Sequence, residues 1–132
     1  FEKINSNEKL KLGRQKIKAL FFYLLGYFEK DSYAIHMAFY RESYFNQEII
    51  SFIHGFLNRL SQLIQKFLTE QGMEEEKTKI LATSILGAGY VHVVKWYVNG
   101  KKESLKNIAE PLFKQFYPYI ALSIKKNKKQ TS

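Results

Sequence analysis

The chain has 132 residues and a mass of 15.6 kDa, one domain's worth, and its 21 Lys and Arg against 12 Asp and Glu give a net charge of +9. Cysteine is absent, which excludes disulfides, thiolate zinc sites, iron–sulfur ligation and a Cys nucleophile. Two Pro and seven Gly are too few for a sandwich or barrel of many tight turns.

Hydrophobic positions recur at helical spacing throughout, and period-two runs of β-branched residues are missing. The sequence therefore predicts an all-α, five-helix bundle in a single domain over 1–132, with 1–5 and 127–132 expected to fray. The first helix is predicted over Ser6–Lys30, opened by a capping box of Asn5 and Glu8. Leu10, Ile17, Leu20, Phe21, Leu24, Leu25 and Phe28 form its apolar face. The stretch Ala19–Phe28 carries no charge and is expected to be buried on nearly all sides. A short aromatic helix follows over Ser32–Tyr44, capped by Asp31 or Ser32.

The third helix is predicted over Gln47–Glu70, where Ile49, Ile53, Phe56, Leu60, Leu63 and Phe67 step by fours and threes. Gly72 suits the residue just past its end. The fourth runs over Glu74–Asn99. Glu74, Glu75 and Glu76 complement the positive end of its dipole, and from Ile80 it is apolar on every side until Lys95, so that part is expected to be deeply buried. Asn99-Gly100 stops it. The fifth starts at the cap Ser104 and continues to Lys126, with Pro111 and Pro118 expected to bend or break it.

The positive balance favours anionic partners. Lys125, Lys126, Lys128 and Lys129 sit near the C-terminus, and a second basic set is Lys9, Lys11, Arg14, Lys16 and Lys18. The longest uncharged run, Ile80–Val94, falls short of the roughly 20 apolar residues that span a bilayer. With no export signal read at its start, the chain is expected in the cytoplasm, away from the membrane. Phe1 stands where Met begins a complete product, so the chain reads as a fragment or a processed form.

Nothing in the sequence assembles a catalytic centre. His36, His54 and His92 are too far apart for a helical metal pair, and no metal or cofactor is expected. Asp31 reads as a helix cap, and no nucleophile elbow or phosphate loop is present. The sequence points away from an enzyme. Gly87 and Gly89 each cost about 1 kcal/mol relative to Ala inside a helix, which small residues offset by letting another helix or a ligand approach.

The last two predicted helices resemble the C-terminal domain of the tetracycline-repressor (TetR) family of bacterial transcriptional regulators. The resemblance rests on Ala82-Thr83-Ser84-Ile85-Leu86-Gly87-Ala88-Gly89, then Val93-Val94-Lys95-Trp96-Tyr97-Val98-Asn99-Gly100. Ser104-Leu105 and Ile108-Ala109-Glu110-Pro111-Leu112 continue it, and Ala38-Phe39-Tyr40-Arg41-Glu42 matches the family's short helix. It implies a homodimer through the last two helices, a pocket for a small apolar or aromatic effector, and control of DNA binding, most simply as a repressor. DNA contact would then fall to a helix-turn-helix domain ahead of Phe1 and to no residue of this chain.

On that reading the pocket candidates are Tyr23, Tyr27, His36, Phe39, Tyr40, His54, Phe56 and Tyr90, apolar bodies with polar tips. Core filling accounts for the larger share of them. The dimer-interface candidates are Ile85, Gly89, His92, Val93, Trp96, Ile108, Leu112 and Phe116. A helical protein-interaction or membrane-surface module, using the basic first helix and tail, is the alternative, although those lysines span most of the helix circumference rather than one lipid-facing stripe.

Overall fold

A computed structural model of the chain describes residues 6–30 and 47–131. The fold is all-α: α1 (Ser6–Lys30), α2 (Gln47–Glu70), α3 (Glu75–Val98) and α4 (Lys106–Thr131), with no strand among the described residues. Four helices are thus described against five expected. The helix expected over Ser32–Tyr44 lies outside the described residues, as do Asn5 and Asp31. None of the described helices is long and apolar enough to cross a membrane.

The boundaries of α1 and α2 coincide with the expected ones, and α3 is one residue shorter at each end. Of the bend or break expected at Pro111 and Pro118, the break does not occur: the last helix runs through both. The two prolines are seven residues apart and both exposed, so they share the solvent side. The carbonyls they leave unbonded, at the exposed residues Asn107 and Lys114, can be satisfied by water.

The helices pack as two antiparallel pairs around one core. In the first pair, Ile17, Phe21, Leu25 and Phe28 of α1 are buried against Leu105, Ala109, Leu112, Phe113 and Ile120 of α4 and the rest of the core. Phe21 meets Phe113 edge-on at 5.9 Å and stacks on Phe116 at 6.0 Å. The Arg14 guanidinium sits 5.0 Å from the Phe113 ring and 5.6 Å from that of Tyr117, and Lys18 pairs with Glu110 at 3.3 Å. Rising numbers on α1 meet falling numbers on α4, which fixes the antiparallel sense.

The second pair is the α2–α3 hairpin, closed by residues 71–74. Gly72 adopts φ +107°. Its N–H donates to the Thr69 carbonyl at 3.0 Å and that of Met73 to Leu68 at 3.1 Å, the two bonds of a Schellman cap. Leu68 and Met73 are both buried, supplying the apolar contact that accompanies this cap. The Asn127 side-chain amide of α4 donates to the Gly72 carbonyl at 2.9 Å, so the far end of α4 rests on this turn.

A second Schellman cap ends α3. Gly100 has φ +85°, its N–H donates to Tyr97, and that of Lys101 donates to Trp96. Ser104 caps α4 as expected, accepting the Lys106 N–H at 3.3 Å. The Glu29 carboxylate reaches over from the end of α1 and accepts the Leu105 N–H, with the Ser104 hydroxyl on its other oxygen. An anion at a helix N-terminus is favoured by the exposed N–H groups and by the dipole.

The expectation of all-round burial fails on both helices. Tyr23 on α1 is 70% exposed and Ile80 on α3 is 76% exposed, since among the described residues each helix packs on one side. Glu29→Ala should lower the unfolding free energy by about 1–2 kcal/mol, and Glu29→Gln by less, because the amide oxygen still accepts the Leu105 N–H. Urea melts of the three proteins measure this.

Candidate functional site

Two cavities bear on binding. The first is a small pocket between α1, α3 and α4. Phe21, Leu24, Leu25 and Phe28 line it from α1, Ile85, Leu86 and Gly89 from α3, and Leu112 from α4. The phenylalanines and leucines of α1 recur at three- and four-residue spacing, so one helical stripe supplies that whole wall. Every lining residue is apolar. The free volume is about 20 Å³, near that of one water probe sphere, and an apolar void of this size stays dry.

The second is an open cleft of about 760 Å³ at the α3–α4 corner. His92, Lys95 and Val98 border it on α3, Lys102 and Glu103 on the turn, and Ile108 on α4. The buried Trp96 ring forms its floor, with the indole N–H donated to the Glu103 carbonyl. The Lys101 ammonium lies 5.7 Å from the Trp96 ring and 5.1 Å from that of Tyr97.

Five of the eight expected pocket residues are described, and of these two meet. Tyr23 points into solvent and His54 is exposed on α2. Tyr27 and Phe56 do meet, stacked at 6.1 Å, and Phe28 joins them edge-on to Phe56 at 6.1 Å. Tyr90 is half-buried against the core. His36, Phe39 and Tyr40 lie outside the described residues. Among the described residues, no three His, Asp or Glu converge as a metal site would require.

Four expected interface residues are turned inward instead. Ile85, Val93, Trp96 and Leu112 are buried within this chain, at 3%, 0%, 8% and 4% exposure, and present almost nothing to a partner. Trp96 closes the α3–α4 turn, whereas Ile85 and Leu112 line the apolar pocket beside Gly89. Phe116 is half-buried on Phe21. His92 and Ile108 alone of the eight border the open cleft without also being buried, His92 exposed and Ile108 half-buried.

The surface α3 does present was missed. Ile80, Ser84, Gly87, Val91 and Val98 are all exposed, with Val91 at 52% and Val98 at 66%. They recur at steps of four, three, four and seven, opposite the buried line of Thr78, Ala82, Ile85 and Trp96. On α4, Tyr119 and Leu122 are about half exposed, at 48% and 51%. Uniform hydrophobicity along α3 hid this stripe, because periodicity cannot orient a helix that is apolar all round. Glu29 was also missed, since nothing local marks a carboxylate that caps a helix 76 residues away.

Among the described residues nothing makes the close approach expected at Gly87 and Gly89. A Cβ built at either meets nothing within 4 Å among the described residues. Gly89→Ala should therefore stabilise the chain by about 0.5–1 kcal/mol through helix propensity alone. A thermal melt of the variant beside the parent checks the sign.

Set against family models, curated proteins and solved structures, the chain has no match in any of the three comparisons.

Proposed function

We propose that this chain is the regulatory domain of a TetR-like transcriptional repressor, a five-helix bundle that dimerises and binds a small, mainly apolar effector rather than catalysing a reaction. One observation carries the reading. An all-apolar pocket touches three helices at once, and two of these, α3 and α4, are the pair expected to meet a symmetry mate. Binding there acts directly on the packing of the helices that set subunit spacing.

The small free volume suits a switch. A drug-sized ligand needs roughly 300–1,000 Å³, so an effector enters only by moving wall residues. Leu24 and Leu86, half-buried, are the ones free to give way. A ligand that prefers the opened arrangement shifts the equilibrium by the difference in its affinities for the two states. In a full-length cytoplasmic regulator, that shift alters the spacing of DNA-reading domains carried ahead of α1, which must match half-sites about one helical turn apart.

The dimer contact in this reading uses the outward stripe of α3 with Tyr119 and Leu122 of α4. Gly87 at the middle of the stripe leaves room for a facing helix.

Two measurements test the reading. Light scattering should give a mass near twice 15.6 kDa, and Val91→Lys should halve it at micromolar concentration with helicity unchanged. Indole, as an apolar aromatic probe, should raise the melting temperature of the parent and leave that of Gly89→Leu unmoved, because the leucine fills the pocket. A monomeric parent overturns the dimer, and an indole response equal in both proteins overturns the pocket.

A further inference from the structure

The excess positive charge is confined to one half of the bundle. Within 47–98, the α2–α3 hairpin, five Lys and Arg face five Glu. Across α1 and α4 there are twelve Lys and Arg against three Glu. In sequence these helices are separated by more than 70 residues, and the antiparallel packing brings them side by side.

The contacts show where the charges line up. Arg14 lies over Phe113 and Tyr117, and Lys18 lies beside Glu110, which also takes Lys114 at 3.9 Å. Lys11 precedes Arg14 by three residues on the same edge of α1. Lys114, Tyr117, Ala121 and Lys125 share the corresponding edge of α4 at steps of three and four. By helical position Lys11, Arg14, Lys18, Lys114 and Lys125 thus line the seam between α1 and α4, with Glu110 as the only acid in the α4 sequence. Lys11, Arg14, Lys114 and Lys125 are all exposed.

We propose that this seam binds the phosphate backbone of duplex nucleic acid. From Lys114 to Lys125 the row is about 16 Å long at 1.5 Å per residue. That length runs beside four or five phosphates of one strand, at about 3.4 Å of rise each. Arg14, its guanidinium carbon 5.0 and 5.6 Å from two ring centroids, offers its N–H fork as a phosphate donor. Among the described residues of these two helices, the large exposed apolar side chains Leu12, Tyr23, Tyr27, Tyr119 and Leu122 fall on other edges by helical position, which favours a phosphate backbone over a bilayer at this seam. The contact requires no helix-turn-helix and is independent of the effector pocket.

Fluorescence anisotropy with a labelled, mixed-sequence DNA duplex tests it on the 132-residue chain. Binding should weaken as salt rises from about 50 to 200 mM, with log K linear in log salt. Neutralising Lys11, Lys114 and Lys125 together to Gln should weaken binding roughly tenfold or more and flatten the slope by about 2.7, near 0.9 per lost phosphate contact. The matched control neutralises Lys66, Lys79 and Lys95, also exposed but on α2 and α3, and should leave the slope within about 0.5 of the parent. Equal losses in both triples would show that net charge alone attracts DNA and would overturn the seam. No binding at low salt overturns it as well. Tighter, seam-dependent binding to phosphatidylserine-rich vesicles than to the duplex would replace nucleic acid by membrane and overturn the proposal.

Discussion

The N-terminus of α4 is held by groups from two other parts of the chain, and the register of the bundle follows from that. Glu29 accepts the Leu105 N–H from the end of α1, and Trp96 at the end of α3 donates to the Glu103 carbonyl just before the cap. A charge-assisted bond to a helix N-terminus is stronger than a neutral one and tolerates little sliding. With residue 29 opposite residue 105, the antiparallel rise places Phe21 against Phe113 and Phe116, Lys18 against Glu110, and Arg14 over Phe113 and Tyr117. A slip of one turn would break every one of these pairings together.

The same register decides what lies inside and what lies outside on α3. Trp96, fixed by its indole bond, turns one side of the helix toward α1 and α4, and Ile85, Gly89 and Val93 follow it inward. The opposite side, from Ile80 to Val98, is left in water although it is nearly as apolar. The apolar pocket is the other consequence: Gly89 supplies no side chain where Phe21, Phe28 and Leu112 come together, and a small void remains.

Charge and packing are segregated along the same lines. The hairpin of α2 and α3 is electrically balanced, with Glu74, Glu75 and Glu76 gathered at the positive end of α3. The α1–α4 pair holds the surplus, softened where Glu110 bridges Lys18 and Lys114. Like charges on adjacent helices repel, so the pair depends on its aromatic interior, and the cation–ring contacts of Arg14 recover part of what repulsion removes.

The helices themselves were legible from local signals. The limits of α1 and α2 were readable, and so were the turn at Gly72, the stop at Asn99-Gly100 and the cap at Ser104, because propensity, capping and positive φ act over a few residues. Whether the prolines would break the last helix was not readable, because a break depends on whether the freed carbonyls find water. The inward turn of Ile85, Val93, Trp96 and Leu112 was hidden for a related reason: a helix hydrophobic all round has no periodicity to orient it. The sequence alone determined an all-helical chain with a basic surplus and no cysteine chemistry. Only the tertiary structure decided which apolar face is buried, that Glu29 caps a distant helix, and that the two basic helices α1 and α4 lie side by side, because each depends on which residues far apart in sequence are brought within a few ångströms.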